Sequence, residues 1–310
     1  MAYSKLNSVI RLIALVVLLG VAVYVYLLGT PDDGVGLKEK LERISLESLI
    51  IPIVLSLMSY LLRYTRWRLI LKKLGHYLPV RSDLVYYLSG FALTMTPGKG
   101  GETIRSAFLL QAKVPVQTSL SAFVIERSFD LLIVGVLATL LFIPPFISLL
   151  LLLLALVTIC FVGSRLVSLE RHIYKNNMPS LLRRLLGILN RASPALKPAP
   201  VVTCALLGCA AWSAQGIGFY YIVRIFTVDI SVFSAISTYC SGLLIGAASL
   251  IPGGIGVTEA SLSWLLQMQG LDQNAAILAA LISRGCTLWL AVAIGCGALA
   301  AIIKGSVLPR

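Results

Sequence analysis

A cluster of ionisable residues interrupts an apolar stretch near the middle of the chain. Glu126, Arg127 and Asp130 fall within residues 118–142, a segment long enough to cross a bilayer. An ionisable side chain at mid-bilayer costs about 2.5–3.5 kcal/mol even on the lenient insertion scale, so three of them cannot face lipid. Helical spacing sets Arg127 beside Asp130 and puts Glu126 on the same face as Asp130. The cluster therefore predicts either a salt bridge that joins helices or a buried site for an anionic headgroup.

A second arginine lies in the last apolar stretch of the chain. Arg284 has no acidic residue in its own segment, so its partner must be Glu259, Glu126 or the phosphate of a ligand. The fixed donor fork of arginine suits phosphate and carboxylate alike. If Arg127 and Arg284 meet inside the membrane, they form a clamp for phosphate, and Glu126, Asp130 and Glu259 balance its charge or receive a cationic headgroup.

Two glycine-rich breaks precede these arginines. The motif Pro-Gly-x-x-Gly-x-Thr begins at residue 97 and recurs at residue 252, and a lone arginine follows the two copies at offsets of 30 and 32. A glycine turn that opens a short helix presents N–H groups to an anion; alternatively, the glycines only permit tight packing of a helical hairpin. Lys99, Glu102 and Arg105 flank the first copy, and Glu259 flanks the second. The predicted hinge and anion-binding backbone positions are Pro97, Gly98, Gly100, Gly101, Pro252, Gly253, Gly254 and Gly256.

Long apolar segments must position these motifs. Of the 310 residues, 58% are hydrophobic and 13% are charged, and the mean hydropathy of +0.92 excludes an ordinary soluble domain. We predict an all-α polytopic membrane protein with about six full spans, near 9–29, 48–70, 118–142, 145–162, 199–223 and 273–302. Two re-entrant helical hairpins, with arms at 84–96 and 103–111 and at 231–251 and 257–268, are predicted to form an inverted repeat.

The topology follows from the number of spans and from the basic residues. Three spans separate the two breaks, so re-entrant hairpins there open to opposite faces. With both termini inside, 20 of the 26 basic residues lie on the cytoplasmic side, a count that includes Arg63 and Arg66 at the basic end of the second span. We therefore expect a single transmembrane domain over 1–310 in the inner or plasma membrane. Its first repeat covers about 48–142 and its second about 199–302, joined by a basic cytoplasmic loop at 163–198.

Other residue types point away from catalysis. The six cysteines lie in apolar segments, the two histidines lie in basic loops, and no metal-spaced cluster or nucleophilic triad is present in the sequence. We expect no enzyme activity, no metal and no cofactor. Eight aromatic residues are predicted to mark the membrane interfaces: Tyr60, Tyr64, Trp67, Tyr86, Tyr87, Trp212, Tyr220 and Tyr221.

The motifs resemble a known family. Residues 96–105, the pair Glu126-Arg127 with Asp130, and residues 252–260 are similar to those of the lysylphosphatidylglycerol synthase transmembrane-region family, which includes the flippase domain of bacterial multiple peptide resistance factor. The resemblance covers roughly residues 10–305 and implies a membrane-embedded lipid translocase. By position, Lys99, Glu102, Arg105, Glu126, Arg127, Glu259 and Arg284 match the polar positions of the family. In the fused proteins this domain moves aminoacylated phosphatidylglycerol, whereas stand-alone members are also associated with polyprenyl-linked sugars and hopanoid-type lipids.

Our expectation from the sequence is a flippase for an anionic or headgroup-modified lipid, with membrane lipids as partners and no nucleic acid. The net charge of +13 is explained by basic residues in the cytoplasmic loops, and we expect these residues also to attract anionic lipid headgroups. Two alternatives stay open at this point: a membrane enzyme that handles a polyprenyl or lipid phosphate, and a solute carrier or scaffold built on the same inverted repeats. A homodimer is also compatible with the sequence.

Overall fold

The computed structural model describes residues 44–173, 191–226 and 229–304, and every regular element in these ranges is a helix. The predicted first span at 9–29 and the middle of the predicted basic loop lie outside the described residues. The α-helices are α1 (Leu46–Lys73), α2 (Val80–Ser89), α3 (Arg105–Gln111), α4 (Val116–Ala138), α5 (Pro145–Ile173), α6 (Pro198–Arg224), α7 (Val232–Ala248), α8 (Val257–Gln267), α9 (Gln273–Arg284) and α10 (Leu290–Ile303). Short 3-10 helices extend α2 at Gly90–Leu93 and precede α3 at Pro97–Ile104, and a π-helical turn, Gly285–Trp289, joins α9 to α10.

Four helical stretches in these ranges are long and apolar enough to cross a membrane: Leu46–Lys73, Pro145–Gly163, Pro198–Arg224 and Gln273–Ile303. Their exposed surface carries large apolar side chains, such as Ile50 and Val54 on α1 and Leu150 on α5. The buried side of α1 carries Ser56 and Ser59 instead. Apolar residues outside and polar residues inside is the pattern that lipid, not water, imposes on a helix. The prediction of a helical membrane protein is confirmed.

The apolar part of α5, Pro145–Gly163, agrees with the span predicted at 145–162. Helix α5 continues to Ile173, past the start of the predicted basic loop at 163. Arginine and lysine have high helix propensity, so a run of basic residues marks the exit of a helix from the apolar layer but does not end the helix.

Each glycine-rich break is the tip of a helical hairpin. In the first hairpin, α2 returns as α3, and the ring of Tyr86 stacks on that of Phe108 at 6.0 Å. In the second, α7 returns as α8 with Gly242 against Leu262. Because early residues of one arm meet late residues of the other, the arms of both hairpins run antiparallel, and each chain reversal coincides with one copy of the Pro-Gly motif.

The two halves of the chain exchange contacts. Helix α1, ahead of the first hairpin, packs antiparallel along α6, ahead of the second: Pro52 meets Gly218 near one end, and Arg66 meets Gly208 near the other. The end of α4 reaches the second hairpin, where the Ser237 hydroxyl donates to the carbonyl of Ala138 at 2.5 Å. Helix α10 in turn packs against the first arm of the first hairpin. The segments at both breaks are thereby held next to each other in the middle of the bundle.

The approach of α6 to α7 gives a stability prediction. A Cβ added at Gly216 would lie 2.7 Å from the Cα of Ile236, which is backbone and cannot move aside. We expect Gly216→Ala to destabilise the protein by about 1–3 kcal/mol, the usual cost of overpacking, measured as a lower midpoint of thermal unfolding in detergent. Gly297→Ala is the control, because that glycine is exposed on α10 with no atom within 4 Å. Alanine favours the helix there, so equal losses in the two variants would contradict the packing.

Candidate functional site

Asp130 on α4 contacts three arginines and one tryptophan, which come from three helices. Its Oδ1 accepts a hydrogen bond from Arg66 Nη2 at 2.5 Å and another from Trp212 Nε1 at 3.0 Å. Its Oδ2 lies 3.1 Å from Arg127 and 3.7 Å from Arg63. A single carboxylate thus ties α1 and α6 to α4, and a charge-assisted hydrogen bond of this kind is about twice as strong as a neutral one.

Glu126, one helical turn earlier, does the same for the first hairpin. It accepts hydrogen bonds from Arg105 Nη2 at 2.5 Å and from the Tyr87 hydroxyl at 2.9 Å, and Arg127 lies 3.2 Å away. The guanidinium of Arg105 lies 3.7 Å over the ring of Trp67, which holds its planar face. The predicted sharing of a face by Glu126 and Asp130 is what lets α4 bind two different neighbours.

An arginine–glutamate bridge occurs in both halves. Arg127 lies 3.6 Å from Glu102 on the first hairpin, and Arg284 Nε donates to Glu259 on the second at 3.0 Å. In each case the glutamate precedes the arginine by 25 residues. Of the three partners proposed from the sequence for Arg284, the structure shows Glu259.

A cavity of about 350 Å³ lies where these elements meet, and both repeated arginines line it. The charged residues on its wall are Arg63, Lys99, Arg127, Asp130 and Arg284. Four of the eight predicted substrate-binding residues are therefore brought together. The other four, Glu102, Arg105, Glu126 and Glu259, are buried and are not among the residues that line the cavity. The three glutamates each lie within ion-pair distance of an arginine, and Arg105 donates to Glu126.

Lys99 has an unusual backbone. Its φ of +55° lies in the left-handed region, where its counterpart in the second break, Gly254, has a φ of +64°. Left-handed backbone costs a non-glycine residue roughly 1–2 kcal/mol, and such strain is concentrated at functional sites. The Lys99 amine lies 5.6 Å over the ring of Trp212 and lines the cavity. The turn thus carries a cation at a position that glycine would fill with less strain.

The backbone amides of the breaks bond within the chain. Gly101 N donates to Thr96 Oγ1 at 2.6 Å, Gly254 N donates to the carbonyl of Ile251 at 2.8 Å, and Gly256 N donates to Glu259 Oε2 at 2.7 Å. At these three positions, therefore, the protein's own oxygens occupy the amides that were predicted to bind an anion. Gly253 and Gly254 line the cavity, and Gly253 offers its carbonyl to Arg284 Nη2 at 2.5 Å. The breaks supply tight turns, and the side chains supply the charge.

Sequence reasoning missed two arginines and misplaced the aromatic residues. Arg63 and Arg66, assigned to a basic helix end, are buried at 4% and 0% exposure in contact with Asp130. Six of the eight aromatic residues assigned to the interfaces are also buried: Tyr60, Tyr64, Trp67, Tyr86, Tyr87 and Trp212. Several of them pack on the guanidinium groups, as Trp212 does at 5.2 Å from Arg63. The i, i+3 spacing of the two arginines, on the face of α1 that also carries Ser56 and Ser59, was the available signal.

The arrangement provides hydrogen-bond donors for an anion. In the described ranges, no three His, Cys, Asp or Glu side chains are grouped so that they could hold a metal ion. The carboxylates face arginines, and the charged residues on the cavity wall are cationic apart from Asp130. What this site can do is bind, orient and shield a negatively charged group.

The hub role of Asp130 is testable. Asp130→Asn leaves Arg66, fully buried, without its counter-charge, and removal of one partner from a buried pair typically costs 3–5 kcal/mol. We expect about that loss in unfolding free energy in mixed micelles, and partial recovery when Arg66→Met is added. Asp229→Asn is the matched control, since its bridge to Arg224 at 2.9 Å is exposed and worth at most about 1 kcal/mol. Equal effects of the two substitutions would remove Asp130 from this role.

Comparisons with known proteins agree with the family resemblance of the motifs. The family described as lysylphosphatidylglycerol synthase TM region matches residues 11–295. A UPF0104 membrane protein of Methanocaldococcus jannaschii is 25% identical over 214 residues, which cover 63% of this chain and 86% of the relative. The residues matched by the family include both breaks, the ion-pair network and the cavity. The chain belongs to the lysylphosphatidylglycerol synthase transmembrane-region family.

Proposed function

We propose that this protein translocates lipids with an anionic headgroup between the two leaflets of the bilayer. The headgroup enters the cavity between the two hairpins, and the acyl or prenyl tail stays in the hydrocarbon. One observation carries the proposal: the cavity has a cationic interior and an apolar rim that is open to the outer surface of the bundle.

The rim is apolar where the cavity meets the surface. Leu131, Leu250 and Ile251 line the cavity and are also 65%, 70% and 42% exposed, which places them at its mouth between α4 and the second hairpin. A headgroup that enters there can leave its tail against apolar side chains and lipid. A water-soluble solute gains nothing from such a rim, so the geometry favours an amphiphile over the solute-carrier alternative.

The interior has the opposite character. Arg63, Lys99, Arg127 and Arg284 face it, and Asp130 is the one carboxylate on the wall among the described residues. In a site shielded from water, these charges act at low effective dielectric and attract an anion far more strongly than they would in solution. Moving a phosphate through the hydrocarbon without such a site is prohibitively costly.

The topology that we propose is an inverted repeat of about 48–142 and 199–302, with re-entrant hairpins and both termini inside. The antiparallel packing of α1 against α6 supports it, because these helices begin the two repeats. Three of the 20 basic residues assigned to the cytoplasm, Arg63, Arg66 and Arg105, are buried in the bundle. The remaining 17 still outnumber the four assigned outside, which favours the same orientation in an inner or plasma membrane.

Lys99 gives a test that leaves the fold intact. In liposomes with a fluorescent phosphatidic acid, purified protein is expected to make the inner-leaflet probe accessible to an external quencher. Lys99→Gly should slow this exchange about 10-fold or more, the worth of one hydrogen bond to a charged group. Lys113→Gly is the matched control, because Lys113 has a φ of +62° and is exposed outside the cavity. Both substitutions remove one charge and relax one left-handed turn.

The outcomes separate the alternatives. Equal rates for the two variants would exclude Lys99 from the path, and no exchange by the unaltered protein with any anionic lipid would overturn the proposal. A new covalent lipid product, found by mass spectrometry of the same vesicles, would support the enzyme alternative instead.

A further inference from the structure

The buried network has more positive than negative groups. Five cations, Arg63, Arg66, Lys99, Arg105 and Arg127, share three carboxylates, Glu102, Glu126 and Asp130. The neighbouring ions balance among themselves, since Arg68 pairs with Asp83 at 4.0 Å and Arg284 with Glu259 at 3.0 Å. Within the described residues, the network is therefore two negative charges short of neutrality.

Three of these five cations, Arg63, Lys99 and Arg127, line the cavity. Arg66 and Arg105 each donate to a carboxylate at 2.5 Å, behind the wall. The Nε and Nη2 atoms of Arg63 and Arg127 are buried without a hydrogen-bond partner in the protein, as are the Nε and Nη1 atoms of Arg66 and Arg105. Among the residues that the structure describes, no carboxylate pairs with the Lys99 amine, which shares the ring of Trp212 with Arg63. Buried donors are rarely left without a partner.

These three cations come from three different elements. Arg63 lies on α1, Lys99 in the first break and Arg127 on α4. Arg63 and Arg127 are both anchored to Asp130 Oδ2, at 3.7 Å and 3.1 Å, which fixes their distance from each other. A terminal phosphate has three free oxygens and a charge near −2 at neutral pH, so it can meet one cation with each oxygen. A phosphodiester has two free oxygens and a single charge.

We propose that the group this cavity accepts is a dianion, a terminal phosphomonoester or a diphosphate, rather than a phosphodiester or an aminoacylated headgroup. That the ligand carries a lipid tail rests on the proposed function. That its headgroup is a dianion does not, because this follows from the charges of the cavity. A headgroup bearing a lysine would add positive charge to a wall that already carries a surplus.

Binding to the purified full-length protein in detergent at pH 7 tests the charge. The probes are phosphatidic acid, phosphatidylglycerol of the same acyl chains, and pyrophosphate. We expect phosphatidic acid to bind at least ~10-fold more tightly than phosphatidylglycerol, the worth of one further hydrogen bond to a charged group. Lys99→Gly should weaken the binding of phosphatidic acid several-fold more than that of phosphatidylglycerol, whereas Lys113→Gly should leave the ratio unchanged.

Each result decides one point. Equal affinity for the two lipids, or a ratio that Lys99→Gly does not move, overturns the dianion proposal even if phosphatidylglycerol is translocated. Tight binding of phosphatidic acid without exchange between leaflets supports the dianion site and overturns the translocase. Binding of pyrophosphate but of neither lipid supports a phosphate site and identifies a free phosphate compound, not a lipid, as its ligand.

Discussion

The structure depends on the rule that a charge in an apolar solvent must find its partner inside the protein. Helix α4 carries two carboxylates and one arginine at a depth where none of them can face lipid. Asp130 draws in α1 and α6, and Glu126 draws in the first hairpin. Apolar side chains cannot select among neighbours in a membrane, because lipid tails satisfy them equally well. The ion pairs can, since a wrong neighbour leaves a buried charge unpaired. We regard the network as the element that specifies which helices meet.

The two halves share a sequence motif but differ in how completely its arginine is hydrogen-bonded. Each has a Pro-Gly turn, a glutamate near it and an arginine 25 residues after the glutamate. Arg284 donates to Glu259 and to the carbonyl of Gly253, whereas Nε and Nη2 of Arg127 lie close to carboxylates without a hydrogen bond. In the second half, therefore, the protein's own oxygens already accept hydrogen bonds from Arg284. In the first half, donors are left for a ligand, so the side of the cavity next to Lys99 and Arg127 is the one prepared for an anion.

The sequence could predict features that have a local pattern, but not those that depend on contacts between distant residues. The cluster on α4, the paired breaks and the lone Arg284 are local departures from an apolar background, and they identified the charged elements around the cavity. Arg63 and Arg66 were missed because a basic run at the end of a span is also the usual mark of the cytoplasmic interface. Only their contact with Asp130, 64 residues away for Arg66, distinguishes the two cases. The aromatic residues were misplaced for the same reason, since a ring that packs on a buried guanidinium and a ring at the interface have the same sequence context.

The two breaks share a left-handed backbone position but place different residues there. Glycine permits the left-handed turn at 254, and the amides there are satisfied by the chain, so the second break is a structural turn with little charge of its own. The first break has the same left-handed position but places Lys99 there, accepting strain where glycine would have none. The amine obtained in this way lies in the cavity beside Arg63 and Arg127, where a third cation raises repulsion in the absence of an anion. An anion bound in the cavity would relieve that repulsion.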